Sequence, residues 1–267
     1  MKGIKLLLAI ALISATAYGQ VDRSKAPEPG PARLIEIGEY QSFTLKNGLQ
    51  VFVVENHKLP RVQFSLQLRH EAVFEGEKAG YVSMAGDLLG TGTTSRSKAE
   101  LDEQVDFIGA SLNTSANGIY ASSLTKHTPS LLTLMTDVLY NPAFSPEELD
   151  KIKTQTLSAL TANKEDPQAI ASDVRNVLVY GKDHPYGDLV TEKTVEGITL
   201  EDCKTYYATY FKPNNAYLAI VGDINLKTAR ELVENNFGKW EKGTVPAPVF
   251  PVPQPPEKTF VALVDRP

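Results

Sequence analysis

Short stretches in which apolar and polar residues alternate, several of them rich in β-branched side chains, predict strands. Five such stretches occur along the chain, and they are Phe43–Val54, Val62–Leu68, Ala110–Asn117, Ile119–Lys126 and Tyr217–Val221. The first contains Asn47-Gly48, and the third and fourth meet at Asn117-Gly118. Because an Asn-Gly pair between two such runs is typical of a tight hairpin, we expect two hairpins and two further strands.

Longer stretches repeat apolar residues every three to four positions, which indicates helices. They are Ala79–Thr93, Lys98–Ile108, Pro129–Tyr140, Pro146–Ala162, Pro167–Tyr180, Leu200–Phe211 and Leu226–Phe237. The hairpins argue against a wholly parallel sheet. The pattern therefore predicts an α+β module over residues 39–243, in which helices cover mainly one face of an antiparallel-dominated sheet.

The helix within Ala79–Thr93 has an unusual face. Ser83, Gly86, Asp87 and Gly90 recur at i, i+3, i+4 and i+7, so they lie on one side of the helix. These side chains are small or polar, and Gly86 alone costs roughly 1 kcal/mol of helix propensity relative to alanine. A helix with such small or unfavourable residues on one face allows another group to approach that face closely.

Several motifs together resemble the pitrilysin/insulinase family of zinc metallopeptidases. The family's catalytic helix reads A-G-x-x-H-x-x-E-H, followed by G-T, and Ala79-Gly80 and Gly92-Thr93 keep this frame. The T-L-x-N-G-L of its first hairpin, its H-P-Y-G and its Y-x-K-P-N-N-A-x-L-x-I-V-G-D run are also present, at Thr44–Leu49, His184–Gly187 and Tyr210–Asp223. The resemblance spans roughly residues 40–242 and includes subunits like those of mitochondrial processing peptidase.

The residues that carry the family's chemistry are replaced. In that frame Ser83 and Asp87 stand at the two histidine ligand positions, and Gly86 stands at the position of the glutamate base. The third ligand, a glutamate in a V-x-L-E-E-I stretch, corresponds to Ala159 in Gln155–Leu160. Zinc needs several nitrogen, sulfur or carboxylate ligands. We therefore expect no catalytic residue, no metal site and no cofactor in this chain, with zinc only in an active partner.

The resemblance also implies a peptide-binding edge. In the family, an extended peptide pairs with the strand that corresponds to Ala110–Asn117, through backbone hydrogen bonds. Asn113, Thr114 and Ser115 match that strand. The same three residues form a glycosylation sequon, although a strand with polar outward side chains is the simpler interpretation.

The two ends of the chain differ from the module between them. Residues 1–19 have a basic start, an apolar run and the cleavage-site pattern Ala17-Tyr18-Gly19, which is typical of a secretory signal peptide. Residues 20–38 lack periodicity and predict a flexible leader. Residues 244–267 combine a Pro-rich linker with the strand-like run Thr259–Val264, which either returns to the preceding sheet or begins a following module. On the second interpretation, which the resemblance favours, the chain is a fragment.

Charge limits the classes of partner. Cleavage after Gly19 removes two of the 27 basic residues and none of the 32 acidic ones, which changes the formal net charge from −5 to −7. An acidic protein without a run of basic residues is not suited to bind nucleic acid. The apolar run of the signal peptide is too short to cross a bilayer. Because the chain begins with a secretory signal peptide, we expect the mature protein in the periplasm or outside the cell, without a transmembrane segment.

Other candidate residues carry weaker signals. Cys203 is the only cysteine, so no intramolecular disulfide forms, and a buried thiol is its simplest role. The four histidines, His57, His70, His127 and His184, show no helical ligand spacing.

We therefore predict an exported, non-catalytic homologue that pairs with an active zinc-bearing homologue to enclose extended peptides. Two alternatives stay open. One is a zinc metalloendopeptidase with an atypical site or a site beyond residue 267. The other is a stand-alone peptide-binding protein.

Overall fold

The computed structural model describes residue 30 and residues 39–247, 249–254, 258–259 and 261–264. Apart from Gly30, the predicted signal peptide and leader lie outside the described residues. The described residues from 39 onward belong to one compact unit.

Six strands form one sheet. They are β1 (Gln41–Thr44), β2 (Gln50–Glu55), β3 (Arg61–Leu68), β4 (Ser111–Ser115), β5 (Gly118–Leu124) and β6 (Ala216–Gly222). Their order across the sheet is β1-β2-β6-β3-β5-β4. Only β2 and β6 pair in parallel, and the other four pairs are antiparallel, which confirms the predicted antiparallel-dominated sheet.

Alternation along the strands divides the sheet into a core face and an open face. In β3, Val62, Phe64 and Leu66 are buried, whereas Gln63 and Ser65 between them are half-buried. Successive side chains of a strand point to opposite faces, so the buried side chains face the described helices and the half-buried ones face away from them. The one-sided cover expected from the sequence is confirmed.

Eight α-helices occur among the described residues. They are α1 (Tyr81–Leu89), α2 (Lys98–Phe107), α3 (Thr128–Tyr140), α4 (Pro146–Asn163), α5 (Pro167–Tyr180), α6 (Glu192–Gly197), α7 (Leu200–Tyr210) and α8 (Leu226–Phe237). The capping box expected at the start of α2 is present, with Ser97 accepting from Glu100 N–H and Glu100 accepting from Ser97 N–H.

Burial within the helices shows where the core is. Helices α3, α7 and α8 each bury several side chains, whereas α4 buries only Leu149 and α5 buries none. Helix α1 packs on α7, on β4 and on α4. It is therefore placed between the core and the less buried pair α4–α5.

Two features differ from the sequence prediction. Helix α6 was not predicted, and α1 covers only residues 81–89 of the stretch from Ala79 to Thr93. In the C-terminal segment, the described residues 261–264 have no strand pairing, so they do not return to the six-stranded sheet. A following module stays a prediction. No helix among the described residues is long and apolar enough to cross a membrane.

Candidate functional site

Helix α1 is held at its first turn by a half-buried carboxylate. Glu75 accepts hydrogen bonds from the N–H groups of Gly80 and Val82, both at 2.9 Å, so it caps the helix from outside. Burial raises the pKa of Glu75, and the nearby Asp188 carboxylate adds to that shift. Gly80 has a φ of +106° at the N-cap, a backbone conformation that L side chains rarely adopt.

One side of α1 faces a small cavity. Ser83 and Asp87 line it from α1, and Ala159 lines it from α4, together with the apolar side chains of Met84 and Leu160. The cavity has a volume of about 220 Å³. The structure thus brings together the three positions at which the resemblance placed the lost metal ligands, although α1 and α4 are far apart along the chain.

The position of the lost base has a different environment. Gly86 is buried, and a Cβ at this residue would lie 2.0 Å from the amide nitrogen of Ala116 in the turn between β4 and β5. The next residue on this face, Gly90, lies under Thr114, whose Oγ1 would be 2.8 Å from a Cβ at residue 90. The β4–β5 hairpin therefore approaches the small face of α1, and any side chain at residue 86 requires the hairpin to move.

The groups around the cavity do not match the chemistry of zinc. The three ligand positions offer one hydroxyl, one carboxylate and one methyl group, whereas a zinc site takes at least three nitrogen, sulfur or carboxylate ligands. Partial burial raises the pKa of Asp87, and no cation contributes to that shift. Within the described ranges no group of three or more His, Cys, Asp or Glu is arranged to hold a metal ion.

Three of the histidines have structural contacts. The Nδ1 atom of His57 lies 2.7 Å from Asp223, and the Nε2 atom of His70 lies 3.0 Å from the hydroxyl of Tyr206. His184 is buried, accepts a hydrogen bond from Tyr186 N–H and stacks on Tyr180. Each of these contacts has a role in the fold, and none of the three residues lines the cavity next to Asp87.

Cys203 is buried, as the sequence suggested. Its Sγ atom lies 3.8 Å from the carbonyl oxygen of Tyr81, and burial raises the pKa of the thiol to about 11. A thiol with such a pKa is a poor nucleophile near neutral pH.

Tyr206 is a residue that the sequence analysis missed. Its hydroxyl, on the buried face of α7, donates to the carbonyl oxygen of Ala116 at 2.9 Å. Ala116 is also the residue whose backbone contacts Gly86. Tyr206 therefore fixes the hairpin turn against α1, and no spacing in the sequence indicates this role.

The predicted peptide-binding strand lies at the edge of the sheet. β4 is the last strand in the sheet order, so one side of it has no strand partner among the described residues. Asn113 and Ser115 are exposed, and Thr114 between them is half-buried against α1. The position fits the predicted edge, and peptide binding itself stays a prediction.

Comparison with known proteins identifies the family. A profile of the insulinase family, peptidase family M16, matches residues 60–186, and a profile of the peptidase M16 inactive domain matches residues 197–267. The chain belongs to peptidase family M16. The pitrilysin/insulinase resemblance inferred from the motifs is thereby confirmed.

The curated relatives include bacterial and mitochondrial proteins. An uncharacterized zinc protease of Bacillus subtilis is 24% identical over 74% of this chain and 50% of its own length. The mitochondrial-processing peptidase subunit beta of Rattus norvegicus is 24% identical over 85% of this chain and 48% of its own length. The chain thus spans about half the length of these relatives.

Solved structures share the fold. A peptidase M16 inactive domain from Pseudomonas fluorescens aligns with a TM-score of 0.72 at 23% identity, over 81% of this chain and 54% of that one. The periplasmic protease PqqL from Escherichia coli aligns with a TM-score of 0.67 at 18% identity, over 82% of this chain and 26% of that one. At these identities the likeness establishes the M16 fold alone.

Proposed function

We propose that this chain is an exported, non-catalytic M16 module that pairs with an active, zinc-bearing homologue and helps to enclose extended peptides. The observation that carries the proposal is the contact between Gly86 and the β4–β5 turn. Because the backbone of Ala116 occupies the space that a side chain at residue 86 would need, the position of the base cannot hold a glutamate in this conformation. The other chemical positions, Ser83, Asp87 and Ala159, supply no imidazole.

The partnership and the export rest on further support. The chain matches about half of each curated relative, one of which is described as a subunit. A module with an exposed edge strand and a chemically inert cavity is suited to forming one wall of a peptide chamber. The basic start, apolar run and Ala17-Tyr18-Gly19 pattern support export, and one structural neighbour is described as periplasmic.

Zinc content and peptide cleavage test the absence of catalysis. We expect the dialysed protein to contain no stoichiometric zinc and to leave quenched fluorescent peptides intact. The matched control is the triple variant Ser83→His, Asp87→His and Ala159→Glu, which restores three ligands around the cavity. It should gain zinc but still not cleave, because residue 86 stays a glycine. One tightly held zinc per unmodified chain, with chelator-sensitive cleavage, would contradict the proposal.

Complex formation tests the partnership. We expect the chain to co-elute in size-exclusion chromatography with a zinc-bearing M16 homologue from the same organism, and the peptidase activity of that homologue to rise on mixing. Separate elution with unchanged activity would favour a stand-alone peptide-binding protein instead.

A further inference from the structure

A second cavity opens on the face of the sheet that the eight described α-helices leave uncovered. It has a volume of about 430 Å³ and lies where β2 leads through a short loop to β3. Its polar lining residues are Asn56, Lys58, Arg61, Gln63 and Ser122, and its other walls include Leu59, Val62, Tyr120 and Val221. None of these residues belongs to the cavity between α1 and α4 described above.

Strand register places the polar groups side by side. Gln63 of β3 is opposite Ser122 of β5 on one side and Val221 of β6 on the other. Because Val62 and Phe64 point into the core, Gln63 and the residues opposite it point to the open face. Arg61, two residues before Gln63, lies on the same face.

The side chains that line this pocket offer mostly hydrogen-bond donors. The side-chain oxygen of Asn56 already accepts from Lys58 N–H at 3.2 Å, and that of Gln63 accepts from the Tyr120 hydroxyl at 3.3 Å. Both amides keep their N–H₂ groups as donors. The ammonium of Lys58 and the guanidinium of Arg61 can only donate, and neither has an ion-pair partner within the part of the chain that the structure describes.

Ser122 is the most informative of these residues. It is only 5% exposed, and its hydroxyl makes no side-chain hydrogen bond within the described residues. The hydroxyl oxygen is not sealed from solvent, because no fully buried side-chain nitrogen or oxygen in that part of the chain lacks a partner. Since Ser122 lines the cavity, its hydroxyl is available to a ligand that enters there.

The acidic groups nearest along the chain are engaged elsewhere. Glu55 accepts from Leu226 N–H at the start of α8 and from the amide of Gln41. Asp223 pairs with His57 and accepts from the Thr125 hydroxyl. Neither carboxylate lines the pocket, so no acidic group in the described part of the chain compensates the two cations there, although the protein as a whole is acidic.

We propose that this pocket binds the carboxylate of an acidic peptide side chain or small organic acid. Lys58 and Arg61 supply the positive charge, and Ser122, Gln63 and Asn56 supply neutral donors to the carboxylate oxygens. The apolar side chains of Leu59 and Val221 line the same cavity and contact the carbon chain that carries the carboxylate. This apolar wall distinguishes a carboxylate on a carbon chain from inorganic phosphate. The assignment is independent of the function proposed above.

Amide chemical-shift titration of the ¹⁵N-labelled protein tests the proposal. We expect N-acetylglutamate amide to shift the amides of residues 56–63 and Ser122 saturably, whereas the neutral, equally shaped N-acetylglutamine amide leaves them unchanged. Comparing the shifts caused by butyrate with those caused by N-acetylglutamate amide shows whether the pocket prefers a small organic acid or a peptide side chain. Equal shifts with the neutral analogue, or tighter binding of inorganic phosphate, would overturn the assignment.

Three variants localise the site. Arg61→Gln should weaken the binding of N-acetylglutamate amide by about tenfold, as expected for loss of one charge-assisted contact. Ser122→Ala should also weaken it while leaving the melting temperature unchanged, because the hydroxyl has no partner in the described part of the chain. The control is Arg69→Gln, since Arg69 is bound to Gln50 outside the pocket. Unchanged affinity in folded Arg61→Gln and Ser122→Ala, or equal weakening by the control, would overturn the proposal.

Discussion

Gly86 and Ala116 are in contact through their backbones: a Cβ at residue 86 would lie 2.0 Å from the Ala116 amide nitrogen. Real side chains do not approach backbone atoms so closely, and interiors this densely packed relax only in part. We therefore predict that Gly86→Ala lowers the free energy of unfolding by about 1–3 kcal/mol, even though alanine favours helix. Urea denaturation followed by circular dichroism measures the change.

Gly197 provides the matched control for this prediction. It also lies in a helix, α6, but a Cβ there would meet nothing within 4 Å. Gly197→Ala should therefore leave stability unchanged or raise it slightly, because alanine restricts the unfolded chain. Equal stability of Gly86→Ala and Gly197→Ala would mean that the hairpin turn moves freely away from α1.

Asp137 ties the loop after α1 to helix α3. Its Oδ2 atom accepts from the hydroxyl of Thr93 at 2.6 Å and from Nη1 of Arg96 at 2.5 Å. Partial burial on its own would raise the pKa of Asp137, but the hydrogen bonds from Thr93 and its neighbours outweigh it and hold the pKa below its ordinary value of 3.8. The stabilisation is therefore present above about pH 4 and is lost as the pH falls through the lower folded-state pKa.

This coupling gives a pH-dependent prediction. Asp137→Asn should lower the free energy of unfolding by about 1.5–3 kcal/mol at neutral pH, because hydrogen bonds to a charged group are lost. The difference between the two proteins should shrink as the pH falls towards about 3. Urea denaturation across this range measures it, and a pH-independent difference would show that the charge of Asp137 contributes nothing.

His57 joins the ends of β2 and β6 by contacts to two carboxylates. Its Nδ1 atom lies 2.7 Å from Asp223, and its Nε2 atom lies 3.5 Å from Glu55. The hydrogen bond to Asp223 is the main reason that the pKa of His57 is raised above its ordinary value of 6.5. Any stability that this cluster contributes is thus present below pH 6.5 and is lost as the pH rises through the raised pKa.

Titration of the imidazole by NMR tests which of the two carboxylates raises the pKa of His57 more. Asp223→Asn should bring the pKa of His57 back towards 6.5, and Glu55→Gln should change it less, because the Glu55 contact is longer. A larger effect of Glu55→Gln would reverse the assignment.

The elements that were predicted well depend on short-range signals. The Asn-Gly turns, the alternation in Val62–Leu68 and the cap at Ser97 are each determined by a few neighbouring residues. Helix α6 was missed because its six residues are too short to show helical periodicity. Its capping box at Thr191 and Thr194 was the one local signal that could have indicated it.

The site was predictable only in part. The glycines of α1 indicated a close approach, but nothing local specified that the approaching group is the β4–β5 turn, which comes from a separate part of the sheet. The resemblance singled out Ser83, Asp87 and Ala159, and the fold places all three around one cavity. The contact of Tyr206 with Ala116 joins α7 to the β4–β5 turn, and contacts between segments that are distant along the chain leave no periodicity in a single sequence.

The last prediction concerns the edge strand β4. A two-residue turn, Ala116-Asn117, joins Ser115 to Gly118, and in such hairpins the pair that flanks the turn exchanges both of its hydrogen bonds. Since bonded and non-bonded pairs alternate, Asn113 and Ser115 direct their backbone groups to β5, whereas Thr114 directs its N–H and C=O outward. Of the three residues assigned to peptide binding, Thr114 is therefore the one whose backbone is free to pair with a peptide.

A proline at this position separates the two roles of the strand. Thr114→Pro removes the outward N–H, so we expect a peptide pool titrated calorimetrically to lose measurable binding while circular dichroism still shows a folded protein. Ser115→Pro is the contrasting variant, because it removes a bond to β5 and should destabilise the hairpin itself. Full peptide affinity in a folded Thr114→Pro variant would show that peptides do not bind at β4. It would also contradict the proposal that this module forms a wall around extended peptides.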